Sequence, residues 1–381
     1  MLVDINQKRF DEVLRKAQKG VPSKTPMEII KNIKLSVEND ILYVEVTDGQ
    51  IYVRQKIEAA DDTLEVIEEG SICVPARRFI DTIRLMTSET ITLQLKGKIL
   101  YVKGQKQGKS SKSQMKINGE DSSEFPNPPK DKESKFAEIQ GAELKQMIQK
   151  TVFATSKHET RPVLTGVLFS KKDSFMNVVA TDAHRMSQYR VDLDDFRDED
   201  NVEYDSVIPN GALNKISSYI KEEDKVEVYQ SQKNNNLSIY SKDVFVQTRL
   251  LTGEYPNTDR LIPKETKINI RINRAEFIDS LKRTSIMSDP DQHKVVTFNL
   301  GDDDNTITLS SNDTSGESTE VLEAIEREGE SIKLSFSIDY MLDALNQLEE
   351  DEVQLNFNSA VQPIVIWENN HTQLVLPVRT Y

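Results

Sequence analysis

The chain has 381 residues, with 49 Lys and Arg against 63 Asp and Glu, for a formal charge of −14. That length exceeds one compact core and suits two to four domains. The acidic balance argues against nucleic-acid binding over the whole outer surface, because phosphate contact needs Lys and Arg to displace counterions; any basic site must be local. Cys73 has no second cysteine to pair with, and His158, His184, His293 and His371 are scattered, so neither an internal disulfide nor a zinc set is expected. Met1 to Lys19 is studded with Lys8, Arg9, Arg15 and Lys16 and has no apolar core of a signal peptide, and no run of eighteen apolar residues occurs. These features predict a reduced, cytoplasmic protein without a membrane span.

The first element is an amphipathic helix in INQKRFDEVLRKA, Ile5 to Ala17. Its pattern returns in IQGAELKQMIQKT (Ile139 to Thr151) and INRAEFIDSLKRT (Ile272 to Thr284), offset by 134 and 133 residues. Each copy has Ile, then Asn or Gln, then apolar residues five and nine positions on (Phe10 and Leu14, Leu144 and Ile148, Phe277 and Leu281), one stripe of a helix. A strand running into a helix follows at Val74, Ile208 and Phe336, and an alternating strand begins at Ile91, Val226 and Val353. The words EFPN (from Glu124) and EYPN (from Glu254) also recur. A repeat must be recognised before any fold is named. This one predicts three α+β units, each with two helices packed on largely antiparallel sheets. Proline-bearing, charged linkers at Asn127 to Lys135 and Ile262 to Lys267 divide the chain into 1–131, 132–264 and 265–381.

Positive charge follows the repeat. The segments 5–19, 74–86, 139–161, 208–221, 272–283 and 336–348 together carry +8, leaving −22 for everything else. Basic groups at equivalent places in repeated units predict one common basic face, with Arg77, Arg78, Lys145 and Lys215 reaching phosphates without base readout. No aromatic platform for single strands accompanies them, so the expected ligand is duplex. The strongest carboxylate cluster, GDDDN from Gly301 to Asn305, lacks calcium-loop spacing and reads as a hairpin turn. P-loop, Gly-rich cradle and nucleophile elbow are missing from the sequence, so neither an enzyme nor a cofactor is expected. A purely protein-binding scaffold of stacked repeats would share the repeat but not the basic helices.

The stretches TVFATSKHETRPVLTGVLF (Thr151 to Phe169), ATDAHRM (Ala180 to Met186), RLLTGEYPNTDRLIP (Arg249 to Pro263), YMLDAL (Tyr340 to Leu345) and the final LVLPVRTY closely resemble the bacterial DNA polymerase III beta subunit family, the sliding clamps. The first unit departs from the family at SKTPMEIIKNIKL, Ser23 to Leu35. The resemblance implies a non-catalytic processivity factor: a closed homodimeric ring of six clamp domains, helices lining a hole that encircles duplex DNA. Its implied partners are the DNA polymerase III alpha subunit, the delta subunit of the clamp loader and other proteins carrying a clamp-binding motif. The expected DNA-facing set is Lys24, Arg77, Arg78, Lys145, Lys150, Lys215 and Arg283. The expected dimer contact sets Met115 and Ile117 against Ile286 and Met287. The expected partner-peptide pocket comprises Leu164, Thr181, His184, Arg185 and Met186, with Pro256, Arg260 and Leu261, and the terminal Leu374, Val375, Leu376, Pro377, Val378 and Arg379. Arg185, Arg260 and Arg379 are expected at its rim, and Ala183 stands where the family often has Gly or Ser.

Overall fold

A computed structural model describes residues 1–59, 63–106, 109–128, 134–172, 175–192, 204–231, 233–288, 294–301, 305–314 and 316–379. The repeat is visible in the order of elements. The first copy runs β1 (Leu2–Asn6), α1 (Gln7–Gln18), β2 (Asn32–Glu38), β3 (Ile41–Thr47), β4 (Ile51–Glu58) and β5 (Leu64–Glu68). It closes with β6 (Gly70–Pro75), α2 (Ala76–Leu85), β7 (Thr90–Lys96), β8 (Ile99–Lys106) and β9 (Lys109–Asn118). The second has β10 (Ser134–Gln140), α3 (Gly141–Val152), β11 (Gly166–Lys172), β12 (Phe175–Thr181), β13 (Arg185–Asp192) and β14 (Tyr204–Pro209). After these come α4 (Asn210–Tyr219), β15 (Lys225–Ser231), β16 (Asn236–Tyr240) and β17 (Val244–Arg249). The third has β18 (Ile268–Asn273), α5 (Arg274–Thr284), β19 (Val295–Leu300), β20 (Thr306–Asp313), β21 (Gly316–Glu323) and the short β22 (Glu326–Glu328). It ends with β23 (Ile332–Ser337), α6 (Ile338–Leu345), β24 (Glu352–Phe357), β25 (Ile364–Glu368) and β26 (His371–Val375).

The helices begin later than the sequence pattern implies. Ile5, Ile139 and Ile272 lie in β1, β10 and β18. The Asn after Ile is the helix N-cap in two copies: Asn6 Oδ1 accepts from the Arg9 N–H at 3.2 Å, and Asn273 Oδ1 from that of Glu276 at 3.0 Å. Each helix then buries residues at i, i+3, i+4 and i+7, as in Phe10, Val13, Leu14 and Ala17 of α1, or Leu144, Met147, Ile148 and Thr151 of α3.

The chain gathers into two compact units, Met1–Lys145 with Gly211–Leu250, and Gln146–Asn210 with Leu251–Tyr381. The first holds an eight-stranded antiparallel sheet in the order β10-β15-β16-β17-β4-β3-β2-β6 and a five-stranded sheet β5-β1-β7-β8-β9. The last strand of the second repeat thus joins the first repeat, Val244 opposite Gln55 and Thr248 opposite Ile51. Phe125 of the EFPN word is buried with Tyr52 and Cys73 against Ile29 and Phe245. The other unit holds a nine-stranded sheet β14-β11-β12-β13-β26-β25-β24-β18-β22 and a four-stranded sheet β21-β20-β19-β23. Here the last strand of the third repeat joins the second, with Tyr189 opposite His371 and Arg185 opposite Val375. Tyr255 of EYPN takes the place of Phe125. Its hydroxyl accepts the Thr181 N–H at 3.1 Å and donates to the Val179 carbonyl at 3.3 Å.

Phe125 is 1% exposed and bridges elements from both repeats of its unit. Phe125→Ala should therefore lower unfolding stability by about 3–5 kcal/mol, the usual cost of emptying a buried phenylalanine site. Denaturant titration checks this, and a loss below about 1 kcal/mol would show that the ring does not hold the seam.

Candidate functional site

The C-terminal segment is held at both ends. After β26, the Leu376 N–H donates to the His184 carbonyl at 2.9 Å, and the Val378 N–H donates to the Ser335 carbonyl on β23 at 2.7 Å. The segment thus leaves the nine-stranded sheet and reaches the free edge of the four-stranded one. Leu374 and Val375 are buried, 2% and 1% exposed, and Leu374 packs with Met186, Val179 and Val365 under Tyr255 and Ile262. These residues are the floor. Leu376 itself is 36% exposed; Leu261, 49% exposed, precedes the Ile262 that packs on Leu374, and Pro256 and Arg260 are exposed as well. Beyond Leu376 lies a cavity of about 640 Å³ lined by Pro377, Val378, Arg379, Ala360, Val361 and Lys333, with Thr297, Ser310 and Ser335 hydroxyls. Leu164 is buried below the surface at 3%.

Arg185 is not at the rim. It is 6% exposed: its Nε lies 3.0 Å from Asp182, Nη1 2.5 Å from Asp343, and Nη2 donates to the Phe153 carbonyl at 2.7 Å. Its guanidinium also lies 4.7 Å from the Tyr340 ring centre. A guanidinium bound on every side positions the loop and is not free for a ligand. Asp182 organises the same turn by accepting the His184 and Arg185 N–H groups at 2.9 and 3.0 Å, while the Thr181 hydroxyl donates to the Arg185 carbonyl at 2.6 Å. Ala183 sits at φ +75°, a left-handed position that Gly fills without strain. His184 is exposed and stacks on Tyr340, centroids 6.1 Å apart. Tyr340 against His184, Tyr255 against Leu374, and Val361, 73% exposed and lining the cavity, lie outside the set expected from sequence. The repeat does carry a signal for Tyr255, as the counterpart of Phe125; no local signal marks Val361.

The basic candidates divide sharply. Lys24, Arg77 and Arg78 are exposed and form no ion pair among the described residues. Lys145 is half-buried, 3.7 Å from Glu222. Lys215 is paired with Asp48. Arg283 is held by both oxygens of Glu320, each 3.0 Å from its Nε. Lys150 departs furthest from expectation. It is 4% exposed, lies 2.9 Å from Glu349 and 3.6 Å from Glu368, and donates to the Gln347 carbonyl, so it ties two repeats together and offers nothing to DNA. Of the dimer candidates, Met115 on β9 and Ile286 are exposed at 39% and 72%, with Ile117 and Met287 half-buried. Asp302 to Asp304 lie outside the described residues, between the antiparallel partners β19 and β20. Among the described residues no group of three or more His, Cys, Asp or Glu is placed to hold a metal, and no helix is long and apolar enough to cross a membrane.

His371 lies in the seam beneath this site, 2% exposed, its Nε2 2.8 Å from Ser187 Oγ and 3.1 Å from the Lys150 carbonyl. Burial first, then the Lys150 charge, push its pKa down from 6.5 to about 4. The unfolded chain therefore takes up this proton at a higher pH than the folded one. Stability is full above about 6.5 and declines as pH falls toward 4. His371→Gln should flatten the fall of Tm across that window; a parallel fall in the variant would assign the acid sensitivity elsewhere.

Comparison with known proteins agrees with this architecture. Models of the DNA polymerase III beta subunit match in sequence: the N-terminal domain at residues 1–129, the central domain at 138–257 and the C-terminal domain at 259–379. The beta sliding clamp of Bacillus subtilis (strain 168) is 32% identical over 389 residues, covering all of both chains. That of Staphylococcus aureus (strain N315) is 29% identical over 385 residues, covering 99% of each. The crystal structure of the DNA polymerase sliding clamp from Bacillus subtilis superposes with a TM-score of 0.91 at 31% identity, and that of the DNA polymerase III beta chain from Streptococcus pneumoniae with 0.91 at 28%, each over the full length of both chains. Three clamp domains, joined by sheets that run from one repeat into the next, place this chain in the bacterial DNA polymerase III beta subunit family, the DNA sliding clamps, which are non-catalytic processivity factors of replication.

Proposed function

We propose that two copies of this clamp close head to tail into a ring around duplex DNA and carry the replicative polymerase along it. The three domains are 1–131, 132–264 and 265–381, six in the ring, with the repeated helices facing the hole. The observation that carries the reading is the common register of the two seams inside the chain. Gln55 and Tyr189 differ by 134 residues and their partners Val244 and His371 by 127, the same offsets that separate the repeat landmarks. The two seams are one pairing used twice. By that rule β9, the last strand of the first repeat, seeks β21, the third-repeat counterpart of β4 and β13. Both are edge strands of their sheets among the described residues.

Carried through the ladders of β7, β8 and β9 and of β19, β20 and β21, the rule sets Gln114 opposite Thr319, Lys116 opposite Glu317 and Ile117 opposite Gly316 of a second copy. A Cβ at Gly316 would lie 3.7 Å from Met287 Sδ, which brings Ile117 to the expected Met287 and Ile286 region. Opposite charges directly across strands stabilise such a pair, and a head-to-tail contact that closes gives a finite ring.

Of the expected set, Lys24, Arg77 and Arg78 are the cations left free for phosphates; Lys145 is only loosely engaged by Glu222, and Lys215, Arg283 and Lys150 are withdrawn into ion pairs. The surface of Leu261, Leu376, Pro377, Val378 and Val361 takes a short extended peptide with large apolar residues. This is the docking place for the polymerase alpha subunit, the loader delta subunit and other motif-bearing proteins, in the cytoplasm, and ATP-driven loading opens the ring.

Screened phosphate contacts fade over about 8 Å at physiological salt, whereas a closed ring cannot leave a circle. The loaded clamp should stay on circular DNA at high salt and be released when the circle is linearised. Equal loss from circles and linear DNA would overturn the topological reading. Leu376→Ala should weaken polymerase-peptide binding about thirtyfold, the equivalent of about 2 kcal/mol for a hot-spot residue, without changing solution mass. Unchanged peptide affinity would move the partner site elsewhere.

A further inference from the structure

We propose that the groove between α1 and the C-terminal end of α4 is an anion seat that holds one backbone phosphate of the encircled duplex. The inference rests on the reading above, that the helices face DNA, and names the place where contact is built. The groove is a cavity of about 390 Å³ in the first compact unit. Arg9, Lys16, Lys56 and Lys221 line it, with Arg15 beside them and the carboxylates of Glu12, Asp224 and Asp243 facing them.

The carboxylates are already engaged. Arg9 holds Glu12 at 3.6 Å and Asp243 at 3.4 Å. Asp224 accepts the Lys221 backbone N–H and the Ser241 hydroxyl, both at 3.2 Å. Lys221 Nζ approaches Asp243 only to 3.9 Å. Arg15 is occupied by Asp11 at 2.5 Å and Lys56 by Glu58 at 2.7 Å. That leaves Lys16, half-buried, whose ammonium donates to the Tyr219 carbonyl at 3.2 Å and forms no ion pair among the described residues.

The Tyr219 carbonyl is the last of α4, so Lys16 caps a helix C-terminus. Capping needs one cation and does not account for the company Lys16 keeps. Its pKa is lowered by burial first and then by Lys221, with Lys145 and Arg9 adding to the effect against the partial relief of Asp224. An ammonium held in a groove among like charges, with no ion pair of its own and only partial relief from Asp224, stores repulsion that an arriving phosphate oxygen removes. Lys150, Lys215 and Arg283 show the contrasting solution, each satisfied by its own carboxylate. The close approach that makes the groove is backbone-determined: a Cβ at Gly20 would fall 2.9 Å from the Tyr219 hydroxyl, and one at Gly141 would collide with the Lys221 carbonyl.

The test is a duplex titration with the full chain carrying Lys16→Gln and Lys221→Gln, beside a control with Lys98→Gln and Lys264→Gln, which are exposed and outside the groove. Binding of a short linear duplex is followed by anisotropy over a series of salt concentrations. Each phosphate contact contributes about 0.9 to the slope of log K against log salt. The groove variant should lose about 1 from that slope while the control keeps it, and its Tm should be unchanged or higher because repulsion is relieved. Equal slopes in variant and wild type, with retention on circles intact, would overturn the seat and leave the clamp reading standing. Failure of the wild type both to bind duplex and to be retained on circles would take down that reading and the seat with it. A Tm increase with tripolyphosphate that requires Lys16 and Lys221, without any change in duplex slope, would identify a site for a free anion and overturn the DNA assignment.

Discussion

Everything in this chain depends on where its sheet edges find partners. A strand with an open edge presents unpaired N–H and C=O groups that water satisfies only at the risk of aggregation. A four- or five-stranded sheet within one repeat faces that problem at each of its boundaries. Here the last strand of one repeat pairs with an edge strand of the repeat before it, β17 on β4 and β26 on β13, so two small sheets become one of eight strands and one of nine. Among the described residues β9 and β21 keep the equivalent edges open. Their chemistry fits the proposed pairing: β9 carries Lys116, and β21 carries Glu317, Glu320 and Glu323. Like charges along one strand discourage pairing with itself, and opposite charges direct it to the other.

The same ladder positions the surface proposed for partner peptides. Because β26 must end against the start of β13, Leu376 emerges beside the His184 turn rather than in bulk solvent, and the Leu376 N–H finds the His184 carbonyl. The turn cannot wander, since Asp182, Asp343 and the Phe153 carbonyl hold Arg185 from different elements. A shallow apolar surface on a rigid base loses little entropy when an extended peptide settles on it. The buried Lys150 serves the same end from below, joining the end of α3 to Gln347, Glu349 and Glu368 of the third repeat.

Apolar spacing makes the repeat, the helices and the importance of the tail legible in the sequence, because burial imposes periods of 3.6 and 2 on the chain. Pairing of charges has no such period. Lys150, Lys215 and Arg283 each count as basic in a helix, yet each is taken up by carboxylates distant in sequence: Glu349, Asp48 and Glu320. Arg185 reads as a rim cation for the same reason, since Asp343 lies 158 residues away. Helix starts are ambiguous because Ile5 and Ile272 satisfy both the strand alternation that precedes the cap and the helical stripe that follows it. Val361, on the connection between β24 and β25, carries no sequence signal at all; only the fold of the tail sets it in one cavity with Pro377, Val378 and Arg379.

The claim that the third seam repeats the other two in register is tested most directly by Gln114→Cys with Thr319→Cys in one chain, both positions being exposed. Paired positions that exchange backbone hydrogen bonds stand about 5.5 Å apart at Cα, within disulfide reach. The only native cysteine, Cys73, is buried and does not compete. Mild oxidation should link two chains through two bonds into a covalent ring that migrates as a dimer without reductant and stays on circular DNA through denaturation. Each single variant should give no such species. Absence of the crosslink in a preparation whose solution mass is that of a dimer would contradict the shared register and the ring built on it.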